Sequence, residues 1–178
     1  YRSGYHADRN NNSYSCNHNQ MMGHYSGYCL QQGDYNTCLG YYSGYSIEDG
    51  SYNICIGESA GRTIKNGSNN LCIGRHAGYH MTSGGSNVCL GYHSGRGLTS
   101  GSQNVFIGYR AGEDITTHSD NICIGHRAGE NITTNYNVCM GYHAGYAMTA
   151  GGDNIAIGNN AGYNTKNSYN ISMGYHAG

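Results

Sequence analysis

Proline and tryptophan are absent from the 178 residues, phenylalanine occurs once, and Leu, Ile, Val and Phe together supply only 22 positions. So small an aliphatic supply cannot fill the core of an ordinary globule of this length. Charge is equally scarce: nine Lys plus Arg against ten Asp plus Glu leave a formal net charge of -1. Chains of low hydrophobicity that stay disordered usually carry high charge, so half of the disorder signature is missing. The few basic residues are scattered singly and give no electrostatic footprint for phosphate backbones or anionic lipid, which argues against nucleic acid as a partner. No apolar run approaches the roughly 20 residues that a spanning helix needs, so membrane insertion is not expected. Carboxylates are scattered without a recurring pair and no Cys-x-x-Cys exists, so the chain reads as a non-enzyme with no cofactor and no metal site. It begins at Tyr1 with neither an initiator Met nor a signal peptide, and reads as a processed or partial segment.

What the chain has instead is 30 glycines and 19 tyrosines, a bias that usually means a repeat. One anchor glycine recurs through Gly23, Gly40, Gly57, Gly74, Gly91, Gly108, Gly125, Gly141, Gly158 and Gly174, spaced by 17 residues seven times and by 16 twice. Four residues before each anchor stands an asparagine: Asn19, Asn36, Asn53, Asn70, Asn87, Asn104, Asn121, Asn137, Asn154 and Asn170. Four residues after it stands a second glycine, Gly27 through Gly178, always preceded by Ser or Ala. Each unit therefore reads as a strand followed by a tight turn.

Between Asn and anchor lies a triplet whose first and third residues are mostly aliphatic, as in Ile54 and Ile56 or Val88 and Leu90. Period-two alternation predicts a strand with one face buried. A second aliphatic column follows seven residues after the anchor (Leu30, Ile47, Ile64, Met81, Leu98, Ile115, Ile132, Met148) in a Thr-rich segment, which predicts a second short strand. Two strands and two turns leave no room for a helix, and one unit cannot bury its apolar face alone. The expected fold is all-β: a parallel β-solenoid of about ten 17-residue coils, stacked about 4.8 Å apart, in a single repeat domain over 1–178. Residues 5–20 are too long for one coil and read as an inserted surface loop within the first. No polar capping unit stands at either end, so continuation into further repeats or end-to-end stacking is expected.

The asparagines Asn36, Asn53, Asn70, Asn87, Asn104, Asn121, Asn137 and Asn154 read as a structural ladder of amides bonding to one another and to turn backbone. The glycines supply positive φ or room for close approach. Six cysteines (Cys38, Cys55, Cys72, Cys89, Cys123, Cys139) hold the centre of the triplet, where other units place Met21, Phe106, Ala156 and Ser172. A position that accepts all of these is a packing position. Cys16 and Cys29 fall outside the column and could be bridged, pinning the inserted loop.

After each anchor come two large polar residues, and Tyr41, Tyr42, Tyr92, His93, Tyr109, Tyr142, His143, Tyr175 and His176 are the candidate contact stripe along one edge. That stripe is either a solvated stacking ladder or a surface for lateral or glycan contact. Sequons occur at Asn11, Asn66, Asn131 and Asn170, the first three in turns and the last in the buried ladder.

The stretch Asn-x-Cys-Ile-Gly-x-x-Ala-Gly, seen at Asn121 to Gly129 and with Ala for Cys at Asn154 to Gly162, resembles the head repeats of YadA-type trimeric autotransporter adhesins. It looks equally like the Asn-x-Ala-Ile-Gly repeats of phage and giant-virus tail fibres. The resemblance implies a left-handed β-roll, commonly homotrimeric, in an extracellular, cell-surface or virion-surface fibre. The expected function is a structural segment of such a fibre, adhesive where the stripe meets a glycan or host surface, with self-association as a homotrimer or end-to-end filament. An ice-binding β-solenoid is the alternative, prompted by the column Thr82, Thr99, Thr116, Thr133 and Thr149.

Overall fold

The structure, a computed structural model, describes residues 18–178. Ten three-residue strands, from Gln20–Met22 to Ile171–Met173, form one parallel sheet in strict chain order. Each strand pairs with the equivalent strand one unit on: Cys38 lies beside Cys55, and Cys123 beside Cys139 where the unit is one residue shorter. The described residues contain no helix. This is the parallel β-solenoid that the period implies, with each coil resting on the one before it. The inserted loop and Cys16 lie almost wholly outside the described residues, and Cys29 is a half-buried free thiol.

The interior is narrow. Per coil it receives the triplet's central residue, the Ser or Ala before the second glycine, and the aliphatic seven residues past the anchor. Cys72, Ala77 and Met81 of one coil, like Cys123, Ala128 and Ile132 of another, are fully buried. The expectation about the strand's buried face is overturned here. The aliphatic first and third residues point outward, and only the central one points in: Ile54 is 39 % exposed while Cys55 beside it is at 0 %. Steric room decides this. A Cβ on the second glycine Gly61 would sit 2.4 Å from the Cys55 sulfur and 2.8 Å from Ile64 Cδ1, so the interior is already full with a thiol and one aliphatic per coil.

The Thr-rich segment is not a second strand. Its aliphatic column is buried as expected, but its backbone is irregular, tied to the next coil by bonds such as Thr82 N–H to Thr99 O (2.8 Å) and Thr99 N–H to Thr116 O (2.7 Å). The turn between coils brings in residues with left-handed φ that are not glycine, including Tyr52 (φ 58°), Gln103 (φ 59°) and Tyr136 (φ 61°) before ladder asparagines. That constraint limits the length of any regular extended run.

The asparagine ladder clamps coil to coil. Asn53 Nδ2 donates to Gly67 O at 2.8 Å in the next coil's turn, while its Oδ1 accepts from the backbone N–H of Asn70 at 3.1 Å and from Asn70 Nδ2 at 3.0 Å. The side chain thus satisfies a buried carbonyl and a buried N–H that the strand register leaves unpaired. Asn36, Asn87, Asn104, Asn121, Asn137 and Asn154 repeat the pattern with local variation in the carbonyl they reach. Asn170, expected to be buried, is half-buried in the last coil.

Candidate functional site

The two residues after each anchor lie on one turn, as the sequence implies, but they form two distinct columns. Tyr41, Tyr92, Tyr109, Tyr142 and Tyr175 are exposed, whereas Tyr42, His93 and His143 are half-buried and His176 is exposed in the last coil. The half-buried column adopts left-handed φ, 55° at Tyr42 and 51° at His143, which tucks those side chains back along the turn.

Rings stack along the axis at the coil repeat. Tyr92, Tyr109, His126 and Tyr142 make an unbroken four-ring column with centroid spacings of 5.4, 4.9 and 5.1 Å and interplanar angles of 9°, 17° and 18°. Tyr28 stacks on Tyr45 at 5.2 Å and Tyr146 on Tyr163 at 4.9 Å in the column after the second glycine. A third column precedes the ladder asparagines, where Tyr35 stacks on Tyr52 at 5.0 Å. This third column escaped the sequence reading, although its position one residue before Asn recurs in every unit. In the column from Tyr92 to Tyr142 the rings cover one another's faces and offer chiefly edges and phenol hydroxyls to solvent, whereas Tyr175 meets His176 edge-on at 4.3 Å.

Where the tyrosine columns break, charges fill in. Arg62 lies over the rings of Tyr42 at 4.9 Å, Tyr79 at 5.4 Å and Tyr45 at 5.9 Å, and hydrogen-bonds the Tyr79 hydroxyl. Further along, the nearly buried carboxylates of Glu113 and Glu130 are each paired: Glu113 with Arg110 and with His93 Nδ1 at 2.9 Å, Glu130 with Arg127 Nε at 3.0 Å. Pairing of this kind is what allows a carboxylate to remain in a dry turn. These charges occupy the column positions that hold tyrosine elsewhere, so they continue the packing of the stripe.

Burial pushes the imidazoles of His76, His80 and His143 below the ordinary value, with nearby cationic groups adding to the effect: His93 and Arg75 at His76, Arg96 at His80, Arg127 and His126 at His143. Burial raises Glu130, which acts in the opposite sense but around the carboxylate range. For the histidines the folded pKa lies under the unfolded one near 6.5, so their contribution is intact above about pH 6.5 and is lost as pH falls through the folded values. The thermal midpoint is expected to drop on acidification from pH about 7 to 5. A His76→Asn/His143→Asn variant should flatten that profile, and an unchanged slope would refute the assignment.

The cysteine column is fully buried. Contacts with the thiols of Cys38 and Cys72, together with burial, push Cys55 up, and burial raises Cys123, whereas contacts with the Cys55 and Cys89 thiols pull Cys72 down against its burial; the thiols bond to one another along the column and fill it as small groups. Among the described residues, no group of three or more His, Cys, Asp and Glu converges to hold a metal ion. Phe106 takes the same slot at 0 % exposure. Cys72→Ala should cost about 1 to 2 kcal/mol in urea unfolding and leave assembly unchanged. Loss of assembly on that substitution would point to chemistry in the column.

Gly57-Glu58-Ser59-Ala60-Gly61 spells a Gly-x-Ser-x-Gly elbow, which the sequence reading overlooked. Ser59 follows the strand Ile54–Ile56 with φ of 56°, but a turn and not a helix comes next. The same φ recurs at the equivalent residues Tyr42 and Arg110, both 55°, so the geometry belongs to the repeat and not to a nucleophile.

The outward aliphatic face is the feature that the sequence reading missed. It lies beside the stripe, separated from it by the anchor glycines. No family model, curated protein or solved structure matches this chain.

Proposed function

We propose that the chain is a structural segment of an extracellular or virion-surface fibre. The observation that carries this reading is the coil-to-coil bonding: ladder amides, backbone groups and ring stacks all spend their interactions along the axis, so the sequence is devoted to building a rod. Backbone bonds such as Gly74 N–H to Ile56 O and Gly91 N–H to Ile73 O, both 2.8 Å, recur at successive anchors. Self-association extends or thickens that rod, as a filament or a homotrimer. Any adhesive contact with a glycan or host surface would use the hydroxyls and ring edges of the stripe, because the stacked ring faces cover one another.

The threonine column behind the ice-binding alternative serves the rod too. Thr82 Oγ1 donates to Thr99 O at 3.1 Å, Thr99 Oγ1 to Thr116 O at 3.0 Å and Thr133 Oγ1 to Thr149 O at 3.0 Å. Hydroxyl protons held in this way cannot be donated to an ice lattice, which favours the fibre. Immunogold electron microscopy of the source particle or cell with antibody to the chain tests the proposal. Label along surface projections is expected, and label confined to the interior would overturn it.

A further inference from the structure

Of the 22 Leu, Ile, Val and Phe residues, 15 lie at the first or third position of a strand and therefore point away from the interior. None belongs to the buried core cluster. In a chain so poor in aliphatics, two-thirds of the supply forms an outer sheet face with two columns. Ile54 and Ile122 mark one column at 39 % and 37 % exposure, Ile73 and Met140 the other at 37 % and 38 %. A coil that only needed solubility would place a polar residue there, as Thr37 and Gln20 do at the first end.

We infer that this face is an interface between copies of the chain, packed side by side, sheet on sheet. It deepens the fibre reading and rests on it for self-association, but it names the surface. Nine parallel pairings at about 4.8 Å make the face roughly 43 Å long, and three residues at about 3.3 Å make it roughly 10 Å wide. The aliphatic strip is then about 430 Å² per copy, the size of the largest contiguous apolar patches on monomers, which commonly mark interaction sites.

The repeat selects the partner. Side chains recur at the strand spacing along the whole face, so only a surface with the same rise can interdigitate with it over its full length. Another copy of this chain has that rise. The flanks argue against an anionic membrane as the occupant. The columns beside the face carry Glu58, Asp120 and Asp153 against Arg75, with no basic rim. Residues 1–17 contain no Leu, Ile, Val, Met or Phe, so that segment brings no aliphatic surface of its own to cover the face.

Sedimentation velocity on the 178-residue chain tests this with Ile73→Lys/Ile107→Lys/Ile124→Lys, three outward positions of one column. A second variant, Ile73→Thr/Ile107→Thr/Ile124→Thr, keeps β-branching and guards against loss of the fold. The wild type should be a dimer or higher oligomer. The lysine variant should dissociate about 100-fold more readily or further, and the threonine variant should be intermediate, both with unchanged β-sheet circular dichroism. Tyr109→Lys/Tyr142→Lys on the stripe should leave the oligomer intact. A monomeric wild type, or a lysine variant that associates like the wild type, would overturn the inference. Monomeric wild type that binds anionic vesicles would assign the face to a membrane. Surface label in the immunogold experiment is independent of these results, so the fibre reading and the interface fail separately.

Discussion

Replacing Gly91 with alanine should remove roughly 4 to 6 kcal/mol of stability, because the new methyl group meets both a forbidden conformation and a neighbouring backbone. Gly91 has φ of 128°, and a Cβ built on it would lie 2.5 Å from Gly108 O and 2.9 Å from Gly108 C in the next coil. No side chain can swing aside to relieve this, since the atoms met are main chain. The coils must part, and the bond from Gly108 N–H to Leu90 O at 2.8 Å is the first to stretch. In a linear array each coil contacts only its neighbours, so the lesion should divide one melting transition into two and expose a proteolytic site near residue 91. The same substitution at Gly174 is an internal control. It has φ of 118° but no atom within 4 Å of its virtual Cβ, so conformational strain acts alone there and the loss should be about 1 to 3 kcal/mol. Equal losses at the two sites would show that close approach of the coils contributes nothing.

Asn87→Ala should cost about 3 to 5 kcal/mol, the sum of the buried groups it would leave without partners. Asn87 is at 0 % exposure; its Nδ2 donates to Asn70 Oδ1 at 3.0 Å and to Gly101 O at 2.9 Å. Its Oδ1 accepts from Asn104 N–H and Asn104 Nδ2, both at 3.0 Å. Alanine orphans Gly101 O and Asn104 N–H in the buried interior. Asn87→Asp distinguishes the donor from the acceptor. The carboxylate retains an acceptor for Asn104 N–H but sets a second oxygen against Asn70 Oδ1 and Gly101 O. Burial and these acceptors would raise its folded pKa above the unfolded value. The stability of the aspartate variant should therefore recover as pH falls through that raised value, when a carboxyl O–H replaces the lost donor. Chemical denaturation across pH 4 to 8 would read this, and a variant equally unstable throughout would contradict the donor role.

The coil period, the phase of each unit, the asparagine ladder and the glycine positions followed from the sequence alone, because each depends on identity recurring at one fixed spacing. Asn and Gly have few roles that other residues could take, so Asn53 or Gly91 announces its environment. The buried column through Ile64 and Met81 was legible for the same reason. The direction of the strand face was not. In Ile54-Cys55-Ile56 all three residues are apolar, and shifting the pleat by one residue yields an equally apolar interior. The choice belongs to the cross-section. A coil of 17 residues encloses room for one thiol, one alanine and one aliphatic, as Cys55, Ala60 and Ile64 show by their complete burial, and two isoleucines per strand would not fit. Only the assembled stack measures that space, and it turned most of the aliphatic residues outward. The Thr-rich segment failed as a strand for a related reason, since its inward aliphatic and turn-bound backbone satisfy packing and hydrogen bonding without an extended run. Stacking likewise decided the stripe: Tyr109 was visible as a candidate, but that its faces would be covered by Tyr92 on one side and His126 on the other depends on the coil spacing, which brings the Tyr109 and His126 centroids to 4.9 Å.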